Sequence, residues 1–379
     1  MSKNNLPLSY IEISKKNLIW NIKQIRGLVK RGTKISAVVK GNAYGHGQNE
    51  VAQVLEPYVD YFQVNSIEEL ELLRKVSKKK TLVFGYVQIS DLTRAIKLGS
   101  ILTFFSIQQL QEINKVAGRL KIKQEVHMPI DAHLGREGFL EKDWTEVFNE
   151  IKKCKSIKLT GLYAHFANIE DTKDFSHAKK QIDTYKQAVD LAESFNFKNL
   201  DTHISATSGI LIYDKGYGLN SMVRLGIGLY GMWPAEHIQK MYKGKISLKP
   251  VLAWKTKVAQ VKTLPQGRSI GYGLTYVTHT EMKVAVIPQG YGDGLDRRMS
   301  SNGEVLIAGT RCKILGRMMM NMFVVDISHL KNIKGGEEVV ILGRQGKDEI
   351  TAEEIAKNIG TINYEVTTHV NSLLTRVVI

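Results

Sequence analysis

Ile35-Ser-Ala-Val-Val-Lys40-Gly-Asn-Ala-Tyr44-Gly-His-Gly47 joins an apolar, β-branched run to a single lysine and then to closely spaced glycines. A short uncharged run of this kind suits a strand buried on both faces, as in a parallel sheet, with its end opening into a site. Lys40 stands at that opening. An ammonium between apolar walls loses solvation, so its pKa falls and a free amine becomes available to attack carbonyls. Gly41, Gly45 and Gly47 let the backbone turn sharply and approach a ligand, and Tyr44 offers a hydroxyl that can donate to an anion. The competing reading is a lysine that merely ends a strand in solvent.

Outward from this stretch the chain alternates. Leu18, Ile22, Ile25 and Val29 recur at helical spacing before the Lys40 strand. After it, helical patterns separate the runs Tyr61-Phe-Gln-Val64, Thr81 to Tyr86, Ile101 to Phe105, Glu125 to Asp131, Leu159 to Phe166, Leu200 to Ser205 and Met222 to Tyr230. With the Lys40 strand these make eight, the number a closed parallel (β/α)8 TIM barrel requires. The fold class is therefore α/β. Chemistry in such barrels collects where strands end, and here those ends carry Lys40, Arg136, His165, Thr207 and Arg224, which are expected to converge.

After about residue 240 the rhythm changes to strands without intervening helices: Val251 to Leu264, Lys283 to Pro288, Glu304 to Ala308, Met322 to Ile327 and Glu338 to Leu342. This predicts a mostly antiparallel β domain. Thr351-Ala-Glu-Glu354 has the form of a capping box opening its one helix. The expected division is a barrel over 10–240 and a β domain over 241–379, with residues 1–9 packing, if anywhere, against the second.

At 379 residues, 43% hydrophobic and 24% charged, the composition is that of a globular enzyme. Cys154 and Cys312 are too few for a disulfide framework or a cysteine metal site, so reduced, buried thiols are expected. The N-terminus lacks a signal-peptide core and no stretch is apolar enough to cross a membrane, which predicts a cytoplasmic protein. The net charge of +16 is spread over many segments without an RNA-binding signature, so it describes a solvated surface rather than a nucleic-acid site.

The Lys40 stretch resembles the pyridoxal 5′-phosphate (PLP) lysine motif of bacterial alanine racemases, and the similarity extends over nearly the whole chain. Arg224, in Met222-Val-Arg-Leu-Gly, matches the family arginine facing the pyridine nitrogen of PLP, against the alternative of a buried structural salt bridge. His165 matches the histidine linking that arginine to the catalytic tyrosine. Tyr44, Thr207, Tyr364 and the backbone amides of Gly226 and Ile227 resemble the phosphate cup. Tyr272, in Gly271-Tyr-Gly273, matches the second base. The resemblance implies two-base racemisation of alanine, with Lys40 serving the D-enantiomer and Tyr272 the L-enantiomer, supplying D-alanine for peptidoglycan. It also implies a head-to-tail homodimer in which Tyr272, Tyr291 and Met320 reach the partner's site, and Arg136 holds the PLP phenolic oxygen and the substrate carboxylate.

Three departures from the family pattern stand out. Ala206 precedes Thr207 where an asparagine is usual, and Asn321 replaces an aspartate near the substrate. Pro129 stands where the family carries a lysine that becomes carbamylated. The anion that would steady Arg136 is then missing, and two replacements are open: Asp131, which shares the strand parity of Pro129, or a bound inorganic anion such as chloride. Ala132, His133 and Asn321 keep open a serine or broad-specificity racemase. A non-catalytic PLP-binding carrier lacks the β domain, and a basic-amino-acid decarboxylase would have a suitably placed cysteine there.

Overall fold

Ser14 caps the first long helix, Lys15–Arg26, by accepting the Asn17 N–H at 3.3 Å, and Leu18, Ile22 and Ile25 turn its apolar stripe into the core. In the computed structural model, which describes residues 6–213 and 220–379, this helix is preceded by a strand, β1 (Tyr10–Ile13), and followed by eight more strands. These are β2 (Lys34–Val38), β3 (Tyr61–Val64), β4 (Thr81–Val83), β5 (Ser100–Thr103), β6 (Gln124–Pro129), β7 (Ile157–Tyr163), β8 (Asp201–His203) and β9 (Met222–Leu225). They pair in parallel in the order β8-β7-β6-β5-β4-β3-β2-β9. The circle closes where the N–H groups of Ser221 and Arg224 donate to the carbonyls of Thr202 and Ser205, both at 3.0 Å. The eight runs expected from the sequence are these eight strands, and the (β/α)8 barrel follows from them.

β1 belongs elsewhere. Its residues pair antiparallel with Leu252–Lys257 and in parallel with Thr375–Val378, placing Tyr10 opposite both Lys255 and Thr375. A barrel boundary at residue 10 is therefore too early: Ile11 and Ile13 are buried in the second sheet, and Glu12 pairs with Lys255 at 2.9 Å. Residues 1–5 lie outside the described part of the chain.

The second sheet runs in the order Gln260–Leu264, Met282–Ile287, Phe323–Asp326, Thr310–Leu315, Glu304–Ile307, Glu338–Gln345, Leu252–Lys257, β1 and Thr375–Val378. Its pairings are antiparallel apart from that between the two terminal strands. The run expected from Val251 to Leu264 is two strands, not one. Only half of the capping box forms: Thr351 accepts the Glu354 N–H at 3.1 Å, while the Glu354 carboxylate turns to Arg311. Cys154 and Cys312 are buried free thiols. Among the described residues no helix is long and apolar enough to cross a membrane.

The two units meet beneath the Lys40 stretch. The Gly45 carbonyl accepts Arg376 Nη2 at 2.8 Å, and a Cβ on Gly45 would lie 1.8 Å from the Thr367 carbonyl oxygen. Only glycine fits there.

Candidate active site

Beyond β2 the backbone does something the apolar run does not announce. Gly41, Asn42, Ala43 and Tyr44 are all left-handed, with φ of 60°, 51°, 54° and 54°. Each non-glycine residue in that region costs roughly 1–2 kcal/mol, so the turn needs external support. Glu69 provides some: its carboxylate accepts the N–H of Gly41 and that of Asn65, each at 2.6 Å. Asn42 Oδ1 accepts the Gln48 N–H at 2.9 Å. The turn aims Lys40 into a cavity of about 590 Å³ at the C-terminal end of the barrel. Lys40 is accessible through that opening yet ringed by protein. Burial first, and the Arg136 charge second, lower its pKa from the usual lysine value.

Arg224 rises from β9 into the barrel interior and is 3% exposed. Among the described residues it makes no carboxylate pair. Its Nη1 donates to His203 Nδ1 at 2.9 Å and to the His203 carbonyl at 2.7 Å. Its Nη2 donates to His165 Nδ1 at 2.9 Å and to the carbonyls of Ala164 and Ile204 at 2.8 and 3.1 Å. The buried salt bridge left open by the sequence is thus not formed among the described residues. Burial brings the Arg224 pKa down to about 10, still well above neutrality, so the guanidinium keeps its protons.

That permanence fixes the neighbouring tautomers. His165 accepts at Nδ1, which leaves its proton on Nε2. His203 likewise carries its proton on Nε2 and donates it to His127 Nδ1 at 2.9 Å. Burial, and then the Arg224 charge, hold His165 down to about 3, while burial brings His127 to about 4 and His203 well below the usual histidine value. All three are neutral at pH 7.

At one end of the cavity Tyr44, Thr207 and Tyr364 bring three hydroxyls together near Gly226 and Ile227. Thr207 Oγ1 accepts the Gly228 N–H at 3.2 Å and keeps its own proton to donate. A Cβ on Gly226 would meet Tyr44 Oη at 2.9 Å. Burial raises Tyr44 to about 12 and raises Tyr364, so both remain donors. Ile227 opens a 3₁₀ turn, Ile227–Tyr230, whose first N–H groups have no partner within the turn. Hydroxyls and amides so arranged form a cup for an oxyanion.

Lys40, Arg136, His165, Thr207 and Arg224 all line this one cavity, as expected from their places at strand ends. Asp131, however, makes no hydrogen bond or ion pair with Arg136, its charge acting on the guanidinium only from a distance. Its Oδ1 accepts the N–H groups of Leu134 and Gly135, both at 3.0 Å, and so shapes the loop. Arg136 pairs instead with Glu137, through Nε and through Nη2 at 2.7 Å from Oε1. Parity along the strand misled here because the chain leaves the strand at Pro129.

Tyr272, Tyr291 and Met320 do not reach the cavity of their own chain. They are 69%, 41% and 57% exposed on the β domain. Gly271 and Gly273, at φ of 78° and 71°, turn the backbone so that Tyr272 projects from the surface. Tyr291 and Met320 are neighbours, since the Gly292 N–H donates to the Met320 carbonyl at 2.7 Å. Asn321 donates to Asp293 Oδ2 at 3.4 Å. Ala132 and His133 lie outside the cavity, with His133 Nε2 on Thr184 Oγ1 at 2.9 Å.

Reading the sequence missed Glu69, Glu137 and His203. Glu137 and His203 carried a signal: one is a carboxylate beside an expected ligand arginine, the other a histidine inside an apolar strand. Among the described residues no cluster of histidines, cysteines and carboxylates could hold a metal.

Two family descriptions match the chain, "Alanine racemase, N-terminal domain" over residues 13–234 and "Alanine racemase, C-terminal domain" over 251–378. An alanine racemase of Leptospira interrogans is 33% identical over 377 residues, 98% of this chain and 96% of the relative. Alanine racemase 2 of Caldanaerobacter subterraneus subsp. tengcongensis is 36% identical over 359 residues, 94% of this chain and 91% of the relative. Among solved structures, the alanine racemase of Clostridium difficile 630 superposes with a TM-score of 0.91 at 34% identity, covering 98% of this chain and 96% of its own. That of Bacillus anthracis with bound L-Ala-P gives 0.91 at 30% identity, covering 98% and 95%. The barrel with Lys40 at its mouth, the β domain and this full-length similarity agree: the chain belongs to the alanine racemase family of amino-acid isomerases.

Proposed function

We propose that this chain interconverts L- and D-alanine with PLP held at Lys40, using Lys40 and Tyr272 of the partner subunit as its two bases. The observation that carries the reading is the buried Arg224, held by two neutral histidines and three carbonyls across the cavity from a lysine of lowered basicity. A guanidinium that keeps its protons leaves a facing ring nitrogen as an acceptor, which weakens the ring as an electron sink and favours racemisation over transamination.

The residues present fit the cofactor. The cavity of about 590 Å³ suits a small aromatic ligand, and the bare Cα of Gly226 beside Tyr44 leaves room for a phosphate in the cup of Tyr44, Thr207, Tyr364, Gly226 and Ile227. Thr207 supplies its hydroxyl although Ala206 lacks the family amide. When bound, PLP supplies the sink that acidifies the Cα proton of alanine.

The remaining work falls to this chain. Arg136 binds the substrate carboxylate. Lys40, with its lowered pKa, removes or returns the Cα proton on one face. His165 accepts from Arg224 at Nδ1 and so offers Nε2–H to orient Tyr272, which serves the opposite face. The exposure of Tyr272, Tyr291 and Met320, with their own cavity out of reach, supports a homodimer with shared sites. An aspartate at 321 would set a second carboxylate against Asp293, so Asn321 is a local accommodation. With Ala132 and His133 outside the cavity, alanine is favoured over serine or a broader set.

The product is suited to peptidoglycan synthesis, testable by rescue of a D-alanine auxotroph. The primary test incubates the PLP-loaded protein with each enantiomer of alanine, serine and other amino acids and follows optical rotation. Alanine should equilibrate fastest from both sides. Failure to racemise any amino acid would overturn the reading.

A further inference from the structure

We propose that Glu137 is the built-in anion that orients Arg136, taking the place of the carbamate that Pro129 cannot form. The inference rests on the reading of Arg136 as the substrate-carboxylate ligand and adds a positioning residue to it. Pro129 is buried at the end of β6, and its carbonyl accepts the Phe139 N–H at 3.0 Å, closing the loop 130–138. Asp131 is engaged in shaping that loop from within, as its two backbone contacts show. A Cβ on Gly138 would lie 2.3 Å from the Asp131 nitrogen, so the loop is packed tightly where it returns. Arg136 and Glu137 project from it, and both line the cavity.

The geometry of the pair decides between holding and plugging. Glu137 engages Nε and Nη2, the side edge of the guanidinium. The end edge, Nη1 with the second proton of Nη2, stays open for another carboxylate. The Glu137 side chain is 26% exposed against 57% for that of Arg136, so the carboxylate forms the wall and the guanidinium faces the opening. Glu137 also raises the Arg136 pKa, consistent with a stable ion pair. A carboxylate covalently part of the loop makes an external anion redundant.

The test compares PLP-loaded wild type, Glu137→Gln and Glu137→Asp in alanine turnover and in binding of propionate, which carries the substrate carboxylate without its amine. Chloride and bicarbonate are varied against a bulky organic anion at fixed ionic strength. The wild type should ignore both ions. Glu137→Gln should raise KM and the propionate Kd together by roughly three- to tenfold with kcat little changed, and chloride should recover part of this loss. Glu137→Asp should stay closer to wild type than Glu137→Gln. Wild-type rates that follow chloride or bicarbonate, an unchanged KM and Kd in Glu137→Gln, or a Kd that falls because Glu137 was plugging the site would each overturn the proposal. Thermal melting of each variant separates misfolding from loss of orientation, since the aspartate variant retains the charge whatever the melt. Propionate binding does not need turnover, so a wild type that binds it but does not racemise would sink the proposed function while still reading Glu137.

Discussion

In the barrel, Arg224 is 3% exposed and committed to two histidines and three carbonyls; in the β domain, Tyr272 is 69% exposed and has no part in its own chain's cavity. The barrel residues are bound into place by protein and have displaced pKa values as a result. In the β domain Tyr272 and Tyr291 project from glycine-flanked turns at the surface. The contrast separates a half of the chain whose residues are rigidly prepared from a half which, on the proposed reading, would contribute only to a second copy.

The sharpest way to break this comparison is at Lys40. Lys40→Ala should abolish turnover and the visible absorption of bound PLP, because among the described residues no other amine lines the cavity. Retained absorption would show that the barrel is not prepared as described. Next comes Tyr272→Phe, which should slow proton removal from L-alanine by roughly 10²–10⁴-fold. Cα exchange with deuterated solvent starting from D-alanine should persist if, as proposed, Lys40 addresses that face. Equal loss from both enantiomers would contradict the division between the halves.

A smaller effect tests the sharing itself. Neither single variant should racemise appreciably, but if sites are shared, a refolded equimolar mixture of Lys40→Ala and Tyr272→Phe chains would pair an intact Lys40 with an intact Tyr272 in one site of each heterodimer. Random reassortment should restore roughly a quarter of wild-type activity. No recovery, with mixed dimers shown by mass, would mean that each chain builds its own site.

The same contrast explains what was legible in the sequence. Strand periodicity gave the eight barrel strands because each is a short apolar run between helices, and the convergence of five strand-end residues followed from the closed circle. β1 was hidden because four residues beside a helix carry little periodic signal, and its partners, Leu252–Lys257 and Thr375–Val378, lie in the far half of the chain. The left-handed turn at 41–44 was foreshadowed by glycines, but Asn42, Ala43 and Tyr44 adopt it only because Glu69 and the second domain hold them. Asp131 failed as the partner of Arg136 because strand parity says nothing once the chain enters a loop. Glu137 became visible only when that loop closed.

The last prediction concerns acid. His46, His127 and His203 are buried in the barrel unit and His165 is half-buried there; all four are held neutral, at about 4, about 4, well below the usual value and about 3 respectively, each chiefly by loss of solvation. In the unfolded chain each titrates near 6.5. Between these values the unfolded state binds more protons than the folded one, so stability rises with pH; it is fully present above about 6.5 and is lost as pH falls toward the folded pKa values. In the β domain the acid-sensitive contacts are carboxylates, such as Asp348 at 2.9 Å from Arg311, whose pKa that arginine lowers. Such groups release stability only below about 4. Amide hydrogen exchange, corrected for its intrinsic pH dependence, should therefore show the barrel losing protection between pH 6.5 and 4.5 while the sheet from Leu252 to Val378 keeps its own. Double replacement of His127 and His203 by glutamine, which cannot charge, should flatten that slope in the barrel. If both halves lose protection together at every pH, the contacts at Gly45 and along β1 make them one cooperative unit, and the contrast holds for chemistry but not for stability.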